Sequence, residues 1–464
     1  MKIETNDTIV ALATSHGSAA IAIIRLSGPE AIKIVEQNFY SKKLQKKVLH
    51  DKTSHTIHFG LIIHQDVIID EVLVSIFKAP NSFTGQDCVE VSCHGSTFIQ
   101  QQLLQLFLAF GARHAEPGEF TLRAFLNGKF DLSQAEAVAD LIASNSAISH
   151  QVAMQQMRGG FSDKIKLLRE NLVNFASLIE LELDFSEEDV EFANRNDLNN
   201  LIHSIHTIVQ KLVSSFELGN VIKNGIPVAI VGKPNAGKST LLNVLLDDER
   251  AIVSDIAGTT RDTIEDEITI DGVLFRFIDT AGIRTTQDII EQIGVNKAFE
   301  AIQKSAIVIY LFDSHEISSG DLKLEIDMLS EHIGTSQLLI VANKIDTENI
   351  NDLKKEFADF PDIIFISAKT HAQIKDLKLK LLSLFDARTV SVTDTIVTNA
   401  RHANSLKNVN NALEKVLIGL DKNIVPDLLA LDIRYALDEI GTITGQVTNE
   451  DLLTNIFSKF CIGK

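Results

Sequence analysis

Apolar residues recur along this chain with two periods, and the places where the period changes divide it. Up to residue 118 the runs are short and strand-like, with helical stretches between them. IAIIRL at 21–26 reads as a strand; Gly28-Pro29 then opens a helix through about Gln37, with Pro29 tolerated in its first turn. Val72, Val74 and Ile76 alternate as a half-buried strand does. CVEVS at 88–92 is a further strand, followed by an apolar helix from about Thr97 to Phe110. Residues 1–118 therefore predict a compact α+β domain.

From 119 to 220 the period lengthens to that of a helix. Ile165, Leu168, Leu172, Phe175, Ile179 and Leu183 fall at three- and four-residue steps, the stripe of a long packed helix. Ser133-Gln-Ala-Glu136 has the spacing of a capping box, which would satisfy two backbone donors at a helix start. Between 221 and 387 strands and helices alternate, beginning with a buried strand at Val228–Val231. A second helical stretch, within 388–464, starts near Thr398. Leu429, Ile433, Ala436, Leu437 and Ile440 form its clearest stripe, and Gly441 is placed to end that helix. The two helical segments are expected to pack together, with the α/β domain inserted between them. No internal repeat or low-complexity segment is visible.

Composition narrows the partners. A chain of 464 residues, 45% hydrophobic with 7 prolines, has material for roughly three packed domains. It holds no run of about 18 apolar residues, so no membrane-spanning helix is expected. MKIETNDTIV lacks the basic and apolar regions of a signal peptide. Cys88, Cys93 and Cys461 cannot build a disulfide framework and are not spaced for zinc, which points to a reduced, cytoplasmic protein. A formal charge of −19 argues against this chain coating RNA by itself. Lys42, Lys43, Lys46 and Lys47, and then Lys164, Lys166 and Arg169, are local basic clusters that could touch phosphates, although charge runs are more often solvated faces.

Five segments carry the chemistry: GKPNAGKS at 232–239, GTTRD at 258–262, DTAG at 279–282, NKID at 343–346 and SAK at 367–369. In this order and spacing they predict a GTP site. The buried strand running into a glycine-rich loop, with Lys238 opening the next helix, is the context a P-loop requires. Gly232 and Gly237 let Asn235, Ala236 and their neighbours bring backbone amides to the phosphates. Lys238 meets the β/γ oxygens as part of the catalytic set, Ser239 ligates Mg²⁺, and Thr240 follows in the helix. In the first switch, Ser254, Asp255, Ile256, Ala257, Gly258, Thr259 and Thr260 line the nucleotide, and Thr260 is placed as the second Mg²⁺ ligand. Asp279, Thr280, Ala281 and Gly282 form the second switch, with Asp279 holding the metal through water and the Gly282 amide sensing the γ-phosphate. Asp346 can accept guanine N1–H and the 2-amino group, which adenine does not offer there. Asn343 and Lys344 shape the base pocket, and in Ser367-Ala368-Lys369 the Ala368 amide is expected to reach guanine O6.

Ile283 occupies the position after DxxG where Ras-like switches use a water-positioning glutamine. An arginine finger in such systems is worth about 10³–10⁵ in rate, or roughly 4–7 kcal/mol. The Asn235 carboxamide suits a hard monovalent cation, so K⁺ held by Asn235 and first-switch oxygens is the expectation. Arg261 and Arg284 are alternative fingers.

DTIVALAT at 7–14, PNSFTG at 80–85, PGEFTLRAFLNGK at 117–129, DLSQAEAVADLI at 131–142 and FCIGK at 460–464 closely resemble the MnmE (TrmE) family of tRNA-modification GTPases, over essentially the whole chain. The resemblance implies an N-terminal folate-binding and dimerisation domain at 1–118, a helical domain in two parts at 119–220 and 388–464, and an inserted Ras-like GTPase domain at 221–387. It implies a homodimer that works with the FAD-dependent partner MnmG (GidA). Together they add an aminomethyl-type group, usually carboxymethylaminomethyl, to C5 of wobble uridine 34 in certain tRNAs. A 5-formyl or 5,10-methylene tetrahydrofolate would supply the one-carbon unit. The family's folate contacts fall on Arg25, Glu90, Lys129 and Lys464, its K⁺ ligands on Asn235, Ser254, Ile256 and Thr259, and its water-orienting glutamate on Glu291. The family places Cys461 beside the folate; on the sequence alone a small buried residue is the plainer reading. Gln86 stands where the family often has an acid, and Ser254 where threonine is common. His94 reads as structural. A ribosome-assembly GTPase, or a GTP-gated scaffold without tRNA chemistry, are the competing readings.

Overall fold

Alternating burial along Val67–Phe77, with Val72, Val74 and Ile76 all inside, puts one face of that strand on a core and leaves Leu73 exposed. In this computed structural model the described residues are 6–184, 195–250, 266–278, 301–334, 336–347, 349–384, 395–422, 424 and 426–463.

The N-terminal domain is a seven-stranded sheet of β1 (Ile9–Leu12), β2 (Ile21–Ser27), β3 (Phe39–Tyr40), β4 (Thr56–His64), β5 (Val67–Phe77), β6 (Cys88–His94) and β7 (Arg113–His114). Its order is β3-β4-β5-β6-β2-β1-β7. Two helices, α1 (Ala31–Glu36) and α2 (Thr97–Ala109), supply Ile34, Val35, Leu103 and Phe107 to the core that also takes Ile24, Val74 and Val91. Each such side chain contributes about 1.5–3 kcal/mol by leaving water. β2 pairs antiparallel with β6 so that Arg25 lies directly opposite Glu90.

Helices α3 (Glu119–Leu126), α4 (Leu132–Ala143), α5 (Ala147–Met157), α6 (Gly160–Asp184) and α7 (Arg195–Asn224) follow. The capping box at the start of α4 lies two residues earlier than the sequence suggests. Asp131 accepts the Gln134 amide at 2.9 Å, and the Gln134 side chain accepts the Asp131 amide at 3.0 Å. Ser133 and Glu136 are inside the helix and buried. An Asp/Gln pair satisfies the same donors as Ser/Glu, so two overlapping patterns compete and the outer one starts the helix.

The inserted α/β domain has six strands: β8 (Ile226–Val231), β9 (Asp266–Ile270), β10 (Val273–Phe277), β11 (Ile307–Asp313), β12 (Gln337–Asn343) and β13 (Ile364–Phe365). Their order, β13-β12-β11-β8-β10-β9, is Ras-like, parallel except for the β9–β10 hairpin. Helices α8 (Lys238–Arg250), α9 (Ser319–Ile333), α10 (Ile350–Glu356) and α11 (Ile374–Leu384) accompany it. The chain then returns to helix in α12 (Ala400–Asp421), α13 (Pro426–Thr444) and α14 (Glu450–Phe457).

The two helical segments pack as expected. α6 buries Ile165, Leu168, Leu172, Phe175 and Ile179, α13 buries Leu429, Ile433, Ala436 and Ile440, and the two helices lie side by side with Arg434 donating to Glu180 at 2.7 Å. Gly441 does not end α13. The helix runs on to Thr444, and Gly445, at φ +83°, turns the chain while the amides of residues 445, 446 and 447 all reach the Gly441 carbonyl. Gly441 is needed for a different reason: a Cβ there would come within 2.8 Å of the Val447 side chain.

Contacts divide the chain into two units, one of Met1–Ile142, Ala153–Gln210 and Asn404–Lys464, the other of Ala143–Val152 and Lys211–Ala403. Ala143–Val152 thus groups with the α/β domain. Ile148 packs against that domain's core, and Asn145 donates to Glu267 at 2.8 Å. No described helix is long and apolar enough to cross a membrane. The chain is multidomain, with an α+β N-terminal domain, a discontinuous α-helical domain and an inserted α/β Ras-like P-loop domain.

Candidate functional site

Strand order in the α/β domain reverses at β8: the chain leaves it for β9 and β10 on one side, then crosses to β11 on the other. Such a reversal opens a crevice at the carboxyl ends of the strands, where ligands of open α/β sheets bind. GKPNAGKS leaves β8 at that point, NKID leaves β12, and SAK follows β13.

The loop glycines are fixed by their protein neighbours. A Cβ on Gly232, at φ +147°, would stand 2.0 Å from the Leu311 carbonyl. One on Gly237, at φ +96°, would stand 2.3 Å from Asn343 Nδ2. Asn235 takes φ +67°, a region asparagine tolerates better than most residues, and is exposed. Lys238 Nζ donates to the Gly232 carbonyl at 2.7 Å and the Lys233 carbonyl at 2.8 Å, and burial lowers its pKa. Ser239 and Thr240 sit in the first turn of α8.

Asn343 joins the two halves of the crevice. Its Nδ2 donates to the Ala236 carbonyl at 2.8 Å, and its Oδ1 accepts the Ala368 amide at 3.0 Å. The amide expected to reach guanine O6 is therefore engaged within the protein, in a bond that a base oxygen would have to share or replace. Asp346 is exposed and accepts the Ser367 hydroxyl at 2.6 Å, the leading cause of its lowered pKa; the Lys369 charge adds to it. Lys344, at φ +69°, reaches Asp313 at 2.6 Å. Burial alone would raise the Asp313 pKa, but bonds from Lys344 and the His315 amide bring it below its ordinary value. Asp313 is absent from the sequence motifs. Its signal was an acid at the end of an otherwise apolar strand, IVIYLFD.

Lys233, also within the loop, pairs with Glu325 at 2.5 Å, and Glu325 accepts the Tyr310 hydroxyl. The first-switch residues Ser254, Asp255, Ile256, Ala257, Gly258, Thr259 and Thr260, with Arg261, lie outside the described residues. So do Asp279, Thr280, Ala281, Gly282, Ile283, Arg284, Glu291 and Lys464.

A second cluster forms on the N-terminal sheet. The Arg25 guanidinium gives two bonds to one oxygen of Glu90, from Nε at 2.9 Å and Nη2 at 2.8 Å, and a third from Nη1 to the Gly463 carbonyl at 3.3 Å. Its Cζ lies 5.7 Å from the ring centres of both Phe83 and Phe120. Lys129 Nζ donates to the Pro80 carbonyl at 3.0 Å. Cys461 is exposed, which overturns the plainer reading of a buried residue, and its carbonyl accepts the Gly118 amide at 3.4 Å. Phe83, Phe120 and the Gly463 carbonyl were not singled out in the sequence, because only the fold brings them to Arg25.

Behind this cluster the Arg123 guanidinium is 1% exposed and is bound by Asp7, Glu119 and Gln86. Gln86 Oε1 serves this arginine without adding a third negative charge to the two already there. His94 Nδ1 meets the buried Asp70 carboxylate at 2.7 Å. Among the described residues no group of three or more His, Cys, Asp or Glu is arranged to hold a metal ion.

The family model of the MnmE helical domain matches residues 132–461, and that of the GTP-binding protein TrmE N-terminus matches residues 8–129. The chain is 55% identical over 461 residues to the tRNA modification GTPase MnmE of Flavobacterium psychrophilum, covering 99% of each chain. It is 56% identical over 464 residues to that of Flavobacterium johnsoniae, again 99% of each, and 51% identical over 469 residues to that of Bacteroides thetaiotaomicron, with the same coverage. Matched along its length by both models and end to end by these relatives, the chain belongs to the tRNA modification GTPase MnmE family.

Proposed function

We propose that this GTPase hydrolyses GTP in a K⁺-dependent manner to drive folate-dependent modification of C5 of wobble uridine 34, as a homodimer acting with a flavoprotein partner. The observation that carries the GTPase half is the Asn343 carboxamide, which holds the phosphate-loop carbonyl and the SAK amide together in one crevice. Asp346, exposed and held ionised by Ser367, is suited to pair with the two adjacent donors of guanine. Mg²⁺ would be held by Ser239 and Thr260, and would neutralise charge developing on the β/γ oxygens. The exposed Asn235 carboxamide suits K⁺, with Ser254, Ile256 and Thr259 as its companions. Lys238 supplies a fixed cation to the phosphates, and Glu291 would orient the attacking water.

The Arg25–Glu90 pair supports the folate half. Arg25 uses one carboxylate oxygen of Glu90, so the other can accept the adjacent N–H groups of a pterin. Phe83 and Phe120 offer ring faces beside it, and Lys129 and Lys464 offer cations for the glutamyl carboxylates. A bound tetrahydrofolate would supply the one-carbon unit, and Cys461 is an exposed thiol at the same tail.

Mass spectrometry of wobble uridines from cells lacking this protein tests the reading. Unmodified uridine is expected, restored by the natural gene and not by Asp346→Asn. A normal modification pattern in the deletion would redirect the assignment to ribosome assembly. Purified protein should turn over GTP at least tenfold faster in K⁺ than in Na⁺, and equal rates would remove K⁺ from the mechanism.

A further inference from the structure

Residues 41–58 hold five lysines, Lys42, Lys43, Lys46, Lys47 and Lys52, against a single acid, Asp51, in a chain of net charge −19. Lys78 joins them, because its Nζ donates to the His50 carbonyl at 2.6 Å. These cations are mounted on ordered backbone. Tyr40 bridges to Lys46, and the Ser41 amide donates to the Gln45 carbonyl while Leu44 donates back to Ser41. Leu49 is fully buried, and the Glu36 carboxylate accepts the amides of Leu49 at 2.5 Å and His50 at 2.8 Å. Lys42 makes a long ion pair with Glu71 at 4.0 Å, and its ammonium lies 4.8 Å from the centre of the Phe59 ring. Among the described residues no carboxylate is within ion-pair distance of Lys43, Lys46 or Lys52.

Lys52 and Lys47 lie close enough to His58 for their charges to act on it. His58 has a lowered pKa, first through burial and then through the charges of Lys52 and Lys47. Apolar surface lies among the cations: Leu44 is 61% exposed, Ile57 66% and Phe59 39%. Ammonium groups over an ordered surface with an accessible ring and aliphatic faces match RNA, which offers phosphates together with sugar and base faces. An anionic membrane would favour an amphipathic helix, whereas these residues sit on a turn and two strands.

We propose that Lys42, Lys43, Lys46, Lys47, Lys52 and Lys78 form the surface on which this chain receives the phosphate backbone of its tRNA. The identity of the RNA rests on the proposed function; the polyanion chemistry does not. In a chain of net charge −19 a concentrated basic surface also biases the orientation in which a tRNA approaches.

The test uses the full chain with Lys43, Lys46 and Lys52 changed together to Glu, and separately to Gln. Binding of a fluorescent, unmodified tRNA transcript is followed by anisotropy across a KCl series, beside GTP hydrolysis and GDP affinity. The Glu variant should bind tRNA at least tenfold more weakly at low salt. The Gln variant should fall between it and the natural chain, with the slope of log K against log salt smaller by about 2–3. GTP hydrolysis and GDP affinity should be unchanged in both. Should the Glu variant fail to fold, the Gln variant carries the test alone. Unaltered tRNA binding overturns the proposal. So does retained tRNA binding with loss of the flavoprotein partner or of anionic vesicles, or a natural chain that does not bind tRNA at all. In that last case a deletion strain with unmodified wobble uridine would leave the proposed function standing.

Discussion

The carboxamide of Asn343 donates one hydrogen bond to the phosphate loop and accepts one from the SAK loop of the nucleotide crevice. Its neighbour Lys344 depends on Asp313, a carboxylate 5% exposed that also takes the His315 amide at 3.1 Å. Asp313→Asn keeps the shape and removes the charge that faces Lys344. We expect GDP affinity to fall by about tenfold, or 1.4 kcal/mol, with kcat at saturating GTP within about twofold. Titration with a fluorescent GDP analogue checks the first and steady-state hydrolysis the second; equal losses in both would mean that Asp313 only supports the fold. The motif residues were legible because each has fixed chain neighbours. Asp313 was not, since it stands thirty positions before Asn343, and only the β11–β12 register sets the two side by side.

At the scale of elements, periodicity located the helices and strands, and their ends proved harder to read. The α4 cap and the α13 terminus both went to a nearby rival, Asp131 over Ser133 and Gly445 over Gly441, because each sequence offers two residues competent for one job. Contacts far apart along the chain were invisible for another reason: Arg25 and Gly463 are 438 positions apart, and no local pattern predicts their bond. Gly463 itself takes φ +94°, and a Cβ on it would stand 2.2 Å from the Leu12 carbonyl. Gly463→Ala should therefore push the tail off β1 and weaken binding of a tetrahydrofolate derivative by at least tenfold, as read by calorimetry. GTP hydrolysis should be retained. Unchanged folate affinity would show that the tail is not part of that site.

Over the whole molecule, part of the acid sensitivity should trace to the carboxylates around Arg123. Burial would raise the pKa of both Asp7 and Glu119, but hydrogen bonds from Arg113 and Arg123 hold them below their ordinary values of 3.8 and 4.5. Carboxyl groups with lowered folded pKa values stabilise the protein above those ordinary values, and the stabilisation drains away as pH falls through the folded ones. Glu119→Gln leaves Arg123 with Asp7 as its remaining carboxylate, a loss of about 1.5–3 kcal/mol, the worth of a hydrogen bond to a charged group. Urea unfolding should show that deficit at pH 7 and a smaller one at pH 3.5; a deficit independent of pH would mean that charge at Glu119 is irrelevant. The network itself was not legible, because Asp7 and Arg123 meet only once β1 and α3 are folded together.

Ile148 has a practical consequence for anyone dissecting this enzyme. Trimming the gene to 221–387 discards Ile148, which packs against the core of the nucleotide-binding domain, together with Val152 and Leu218, which cluster with Ile148 and Ile222. Such a fragment would keep every motif and still lack part of its own lining. Its melting point would then describe an amputated object, and cut sites should instead bring the stretch around Ile148 along.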